Sequence, residues 1–302
     1  MKKHSVAFLL SFLLVPVLLH ARVEGYFDRT LTVSGAVHLD LTTGSGDVTI
    51  KSGSSNQVVV HGSVHSNNNW FSNDESAVHQ VETNPPIQQN GNDIRIGYNL
   101  PEDVKRHVSI SYEVTVPADA AVLAHSGSGN IGIESVRGEV QAQTGSGDIR
   151  LRDLGSRVHV QTGSGGIRAQ DVGAPFYGHT GSGDIDAALT GSGDVDIQTG
   201  SGSVQLRGLK GGLHARTGSG GISADGDVAG PWQLHTGSGD IRLAVGSGSG
   251  FNLEVHTGSG SIHSELPITV QGAVGRRELK GTVRGGGPEL AVSTGSGDVE
   301  IR

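Results

Sequence analysis

The sequence predicts an all-β fold: an elongated parallel β-solenoid, or β-helix, of ~18-residue coils, with an N-terminal β-rich capping region that contains a short helix. Three observations carry this. Thr or Ser followed by Gly-Ser-Gly and then by Asp, Asn, Ser or Gly recurs eleven times, from Thr43 to Thr294, often leaving through Asp-Ile or Asp-Val. Between Ser126 and Ser293 the phrase keeps close to an 18-residue beat. Aligned on the Thr, the units put Ile131, Ile149, Ile167, Ile185, Val204, Ile222, Ile241, Ile262 and Val299 in one column. A unit with two short strands cannot bury its apolar side alone, but stacked units can, because each strand pairs with its equivalent one coil along.

In chain order, residues 1–21 read as a signal peptide. Lys2 and Lys3 precede an apolar run, Val6–Leu19, with a cleavage site at Leu18-Leu19-His20-Ala21. A run of about 14 residues fits a secretory signal and falls short of the ~20 that span a bilayer. The mature chain is expected to begin near Arg22, to be exported to the periplasm, cell surface or medium, and to carry no transmembrane helix.

Residues 22–125 form the N-terminal β-rich region. Leu31/Val33, Val37/Leu39/Leu41, Val48/Ile50 and Val58/Val60 alternate with polar neighbours at the period of a strand. A polar insert, 66–106, follows. It holds a predicted helix with Asn73 or Asp74 as its cap, Glu75 in the first turn and Ala77, Val78 and Val81 on one side, closed by Pro85-Pro86. Asp93–Tyr98 and Val108–Val116 read as two further strands.

Residues 126–302 are the repeat. After each Gly-Ser-Gly comes one strand, as at Ile149/Leu151, and then a looser turn, as at Leu154-Gly155-Ser156. The second strand follows, as at Val158/Val160. Glycine is expected where the chain bends with positive φ and where coils approach closely. The hexapeptide left-handed helix also uses 18 residues per coil but needs an aliphatic every sixth position. Six on from Ile149 stand Gly155 and Gln161, so that template fails. Thr180, Thr190 and Thr199 each open a Gly-Ser-Gly, ten and nine residues apart, so a coil has two related halves and a flattened cross-section. At a strand spacing of about 4.8 Å, ~10 coils make a rod of roughly 45–50 Å.

The chain carries a formal charge of −8, 49 glycines and no cysteine. A mildly acidic chain gives no electrostatic reason to bind nucleic acid. Without cysteine it has no disulfide framework, thiolate metal site or N-terminal lipid anchor.

Four aspartates are the candidates for calcium, since Gly-rich β-roll turns with Asp bind that ion. Asp184, Asp186, Asp194 and Asp196 fall in two consecutive half-coils. The post-turn Asp is replaced by Asn130, Gly166, Ser203, Gly221 or Ser261 in five copies, which argues for turn and solvation chemistry instead. Before the turn stands a column of His125, Gln143, Gln161, His179, Gln198, Arg216, His235 and His256, in which His235 and His256 are expected to be adjacent. It is read as a solvated polar ladder rather than a metal site. The neighbouring Thr column resembles the hydroxyl ladders of ice-binding solenoids, but glycine follows each Thr and breaks the flat face such a ladder needs.

No phosphate-binding loop, nucleophile elbow or H-E-x-x-H motif is present. Asp, Arg and Lys are spread about one per turn. The chain is therefore expected not to be an enzyme and to need no cofactor.

The recurring T-G-S-G-D-[IV], the Val114-Thr115-Val116-Pro117 before the first full coil, and the ending Gly286-Gly287-Pro288-Glu289-Leu290 with Thr294–Val299 resemble the bacterial putative adhesin family. These are exported or membrane-associated β-strand repeat proteins with a domain of unknown function. The resemblance covers about residues 25–302 and implies an adhesive or structural envelope role, with no catalytic residues to carry over.

The expected function is thus a non-enzymatic, adhesin-like envelope protein that presents a rigid surface to glycan, envelope polymer, another surface protein or its own copies. Self-association is expected at the strand edges of a terminal coil near Asp298–Arg302. The alternative is an exported carbohydrate-binding or carbohydrate-active β-helix protein. In it Trp70, Phe71 and Tyr98 would line a cleft, with His235 and His256 on the ligand surface.

Overall fold

Alternation of apolar and polar residues dictates two-faced strands, and here it builds two parallel stacks back to back. The computed structural model describes residues 24–67, 74–270 and 275–302; the expected signal peptide, Trp70 and Phe71 lie outside them. In one stack Val140–Thr144 pairs in register with Ala121–Ser126 and Val158–Thr162. In the other, Ile149–Leu154 pairs with Ile131–Glu134 and Ile167–Val172. Val204–Thr217 and Ile222–Ser238 run unbroken round the looser corner and join the stacks. The predicted β-solenoid is the observed fold.

The aligned columns are the core. Ile131, Ile149, Ile167, Ile185 and Val204 are all buried on one wall, facing Val140, Val158, Phe176 and Val195 on the other. Burying such an aliphatic side chain stabilises by about 1.5–3 kcal/mol. The aliphatics must come once per coil at the same offset, which is why the period is strict.

The Gly-Ser-Gly corner at Gly145–Gly147 is set by close approach. A Cβ on Gly147 would strike the carbonyl of Gly129 in the coil before it. Neither glycine has positive φ; positive φ occurs in the looser turns, at Gly208, Gly226 and Gly193, the last of which closes the phrase that begins at Thr190. Stacked corners meet backbone to backbone, and that contact excludes every side chain.

Both ends depart from sequence order. At the N-terminal end, the coil 38–53 pairs with 121–134 on one side. On its other side it pairs with Asp93–Ile96 and Val108–Pro117. The expected N-terminal region 22–125 therefore contributes a full coil to the stack as well as a cap. Beyond it, Gln57–Ser66 and Glu24–Thr32 add antiparallel to the sheet. Two helices pack there: α1 (Asp74–Thr83), with Ala77, Val78 and Val81 buried as predicted, and α2 (Glu102–His107), with Val104 buried. α2 was not predicted. Its signals are Glu102 and Asp103 in the first turn and Lys105, Arg106 and His107 in the last, which suit the helix dipole. The buried aromatic pair of the cap is Phe27 and Tyr112, edge to face with centroids 6.2 Å apart.

At the C-terminal end the last coil does not terminate the rod. Glu289–Ser296 pairs in parallel with Ile222–Ser238 on one side and Phe251–Ser259 on the other. Val299–Ile301 likewise lies between Ile241–Val245 and Ile262–Ser264. The coil 289–301 is thus inserted between two earlier coils. Asp298–Arg302 is interior to the stack, so the strand edges expected there are already paired. The end strand of one stack, Phe251–Ser259, is covered antiparallel by Glu278–Val283, which also pairs with Ile268–Val270; the end strand of the other, Ile262–Ser264, pairs only with Val299–Ile301 among the described residues.

Candidate functional site

The corner of each coil is a hydrogen-bond device. The Thr column points inward, with Thr144, Thr162, Thr180 and Thr236 each at most 2 % exposed, so it forms no surface hydroxyl ladder. Thr144, Thr162 and Thr180 donate through Oγ1 to the carbonyls of Gly129, Gly147 and Gly165 one coil back, each at 2.8 Å. Thr162 Oγ1 also accepts the amide of Gly165 at 3.1 Å. Buried polar atoms need such partners.

The post-turn residue forms a second ladder. Asp47 Oδ1 accepts the amide of Asn130 (2.8 Å), Asn130 Oδ1 that of Asp148 (3.0 Å), and Asp148 Oδ1 that of Gly166 (2.9 Å). A residue stacked after an Asp needs only its N–H, so Gly166, Ser203 and Ser261 are tolerated. Asp298 Oδ1 accepts both the hydroxyl and the amide of Ser261, each at 2.8 Å. Those bonds hold its carboxyl below the usual range.

The four calcium candidates do not converge. Asp184 caps the amide of Ser203 and Asp186 pairs with Arg207 at 2.6 Å, both on one stack. Asp194 caps the amide of Gly212 and Asp196 meets His214 at 3.2 Å, both on the other. Among the described residues no group of three or more His, Asp or Glu is placed to hold a metal ion.

The two outer faces differ in chemistry. One carries Gln141, Gln143, Gln161 and Gln198, with the rings of His159 and Tyr177 stacked at 6.0 Å. On it His235 and His256 are not adjacent: the inserted coil places Ser293 between them, and His235 Nδ1 lies 2.8 Å from Ser293 Oγ. A shallow groove of about 340 Å³ there is lined by His214, His235, His256, Arg216 and Glu254.

The opposite face gathers the cations. Arg150 and Arg168 are register neighbours, and both reach Asp148, at 2.8 and 3.7 Å. Arg152 pairs with Glu134 and Arg207 with Asp186. With Gly132 and Ala188 leaving space between them, these side chains wall a groove of about 630 Å³. Sequence reasoning treated these cations as scattered. Their signal is the column after the core Ile, in which Arg150 and Arg168 stand eighteen residues apart.

Tyr98 is 45 % exposed and sits in the N-terminal cap. Its hydroxyl donates to Asp40 Oδ1 at 2.7 Å, and the Arg95 guanidinium lies 6.0 Å from its ring centre. Partial burial first, then that bond to a carboxylate, push the phenol up to about 12. Tyr98, Leu100, Lys105 and His125 line a cavity of about 340 Å³ over the buried Tyr112. The Tyr112 hydroxyl, buried without a hydrogen-bond partner, is raised above the ordinary tyrosine range by desolvation.

No helix among the described residues is long and apolar enough to cross a membrane. No curated protein matches the chain. Among solved structures, similar chains include a putative adhesin from Bacteroides fragilis, 12% identical over 92% of this chain and 97% of that one, with a TM-score of 0.36. A putative adhesin from Parabacteroides distasonis is 10% identical over 91% and 96%, with a TM-score of 0.37. A putative lipid binding protein from the same organism is 11% identical over 92% and 97%, with a TM-score of 0.29. The family model for Toastrack DUF4097 matches residues 36–302, the whole stack from its first coil to its inserted last one, and the chain belongs to that family.

Proposed function

We propose that this is an exported, non-catalytic, adhesin-like protein of the cell envelope that works through the side of its rod. The observation that supports this is the in-register pairing of outward residues: Gln143, Gln161, His179 and Gln198 on one face, Arg150 and Arg168 on the other. Columns of this kind repeat one contact along an axis, which suits an extended polymer better than a small molecule. At the C-terminal end Glu278–Val283 covers Phe251–Ser259, while Ile262–Ser264 of the other stack pairs on one side alone among the described residues, so that end is half covered and lateral contact is the reading favoured.

The test is co-sedimentation of the mature chain with isolated native envelope, followed by capture and identification of the bound material. The expected result is saturable binding by a monomer whose size is constant across a concentration series. Protein that stays in the supernatant, or that cleaves the envelope glycan, would overturn the reading.

A further inference from the structure

On the arginine face the outward charges are spent on one another: Arg150 with Asp148, Arg152 with Glu134 and Arg207 with Asp186. One stretch of the opposite face is built differently. Between Asp40 in the first coil and Asp196, two outward columns run side by side through four coils. One leads from Leu123 through Gln141 and His159 to Tyr177, the other from His125 to His179. Neither column holds a carboxylate, lysine or arginine over that stretch. Glu139 and Arg157 lie one residue outside the paired strands and are of opposite sign.

Hydrogen-bonding capacity on these columns is unspent. Gln143 and Gln161 are exposed register neighbours, and among the described residues neither side-chain amide has a protein partner. Gln141 gives one N–H to Glu139 at a long 3.4 Å. Each amide both donates and accepts, and the register repeats it from one coil to the next at about 4.8 Å. Beside these amides the rings of His159 and Tyr177 stack at 6.0 Å, and Leu123 is 43 % exposed. Apolar surface therefore stands next to open donors and acceptors. At its N-terminal end the face meets the cavity of about 340 Å³ beside Tyr98, because the register neighbours Thr42 and His125 line it.

We propose that this face binds a neutral, extended polysaccharide laid along the rod axis. Its hydroxyls meet the amides of Gln143 and Gln161, and its C–H surfaces lie against Leu123, His159 and Tyr177. The inference rests on the lateral-contact reading above and names its ligand class. A sugar hydroxyl donates and accepts as an amide does. Columns without lysine or arginine satisfy a neutral chain and offer an acidic one no ion pair. A protein partner would call for an apolar centre rich in aromatic, Met or Arg side chains, and the centre of this face is amide.

The experiment measures binding of the whole mature chain to hydroxyethylcellulose by interferometry, with polygalacturonate as the charged arm. The expected result is binding to hydroxyethylcellulose that holds when salt is raised from ~50 to ~200 mM and is tighter than binding to polygalacturonate. The double variant Gln143→Ala/Gln161→Ala should lose about tenfold in affinity, as befits two lost hydrogen bonds. Arg150→Gln/Arg168→Gln on the opposite face should not change it. Failure to bind hydroxyethylcellulose, equal loss in both double variants, or tighter binding of polygalacturonate would each overturn the proposal. So would loss of envelope binding after protease digestion of the envelope, which points to a protein partner. Native envelope that still binds the Gln143/Gln161 variant unchanged would overturn this face and leave the general surface function standing.

Discussion

Thr162 Oγ1 lies 2.8 Å from the Gly147 carbonyl in the preceding coil and accepts the Gly165 amide of its own corner at 3.1 Å. One buried hydroxyl thus ties two successive corners together. Thr162→Val keeps the shape and removes both bonds, leaving a carbonyl and an amide with no partner. The expected cost is about 1–3 kcal/mol. Thr162→Ser should recover most of it, as Ser126 already serves this role by donating to the Gly46 carbonyl. Urea unfolding of the two variants checks this; equal midpoints would count against it.

The bonds from Ser261 to Asp298 favour the carboxylate over the acid. A lowered pKa in the folded state gives stability that is present above the unfolded value of about 4 and fades as pH falls through the folded one. Denaturant midpoints between neutral pH and pH 2.5 should therefore drop in the wild type. Asp298→Asn keeps an acceptor, as Asn130 does, and should remove that part of the drop. Parallel curves for the two proteins would sink the assignment.

Tyr98 gives the opposite sign. Its phenol is raised to about 12, so the stability it contributes is present below the unfolded value of about 10 and is lost as pH rises through 12. Ultraviolet titration of Tyr98→Phe should lose a late-ionising phenol. Loss of one that ionises near 10 would contradict the Asp40 bond.

Leu290 is fully buried, flanked in register by Trp232 and Leu253. Leu290→Ala should cost about 2–5 kcal/mol, and faster hydrogen exchange should spread to both neighbouring strands. An effect confined to residues after 288 would show that the inserted coil is a loose tail.

Millimolar calcium should leave the thermal midpoint unchanged, because Asp184 and Asp186 sit on one stack and Asp194 and Asp196 on the other. A rise of several degrees would restore the ion.

Most of the fold was legible because the core columns and the corner phrase repeat at one offset, and periodicity is a local signal. Ile149, Ile167 and Ile185 could be stacked on paper. The insertion of Leu290 and Val292 between Trp232/Leu234 and Leu253/Val255 could not. All three segments carry the same phrase, and nothing local says which pairs with which. The inward turn of Thr144 was hidden for a related reason: a hydroxyl beside glycine reads as surface until its carbonyl partner in the next coil is known. The ladder of paired arginines and carboxylates lay in plain view at Arg150 and Arg168, and it was missed because residues were counted per turn rather than per face.

The inserted coil sets an order of events. Chain growth supplies the coil 251–264 before its neighbour 289–301 exists, and Leu253, Val255 and Thr257 match the columns of 222–245 as well as Leu290, Val292 and Thr294 do. The contact between the coils 232–245 and 251–264 thus runs entirely through residues 289–301, which come later in the chain than either.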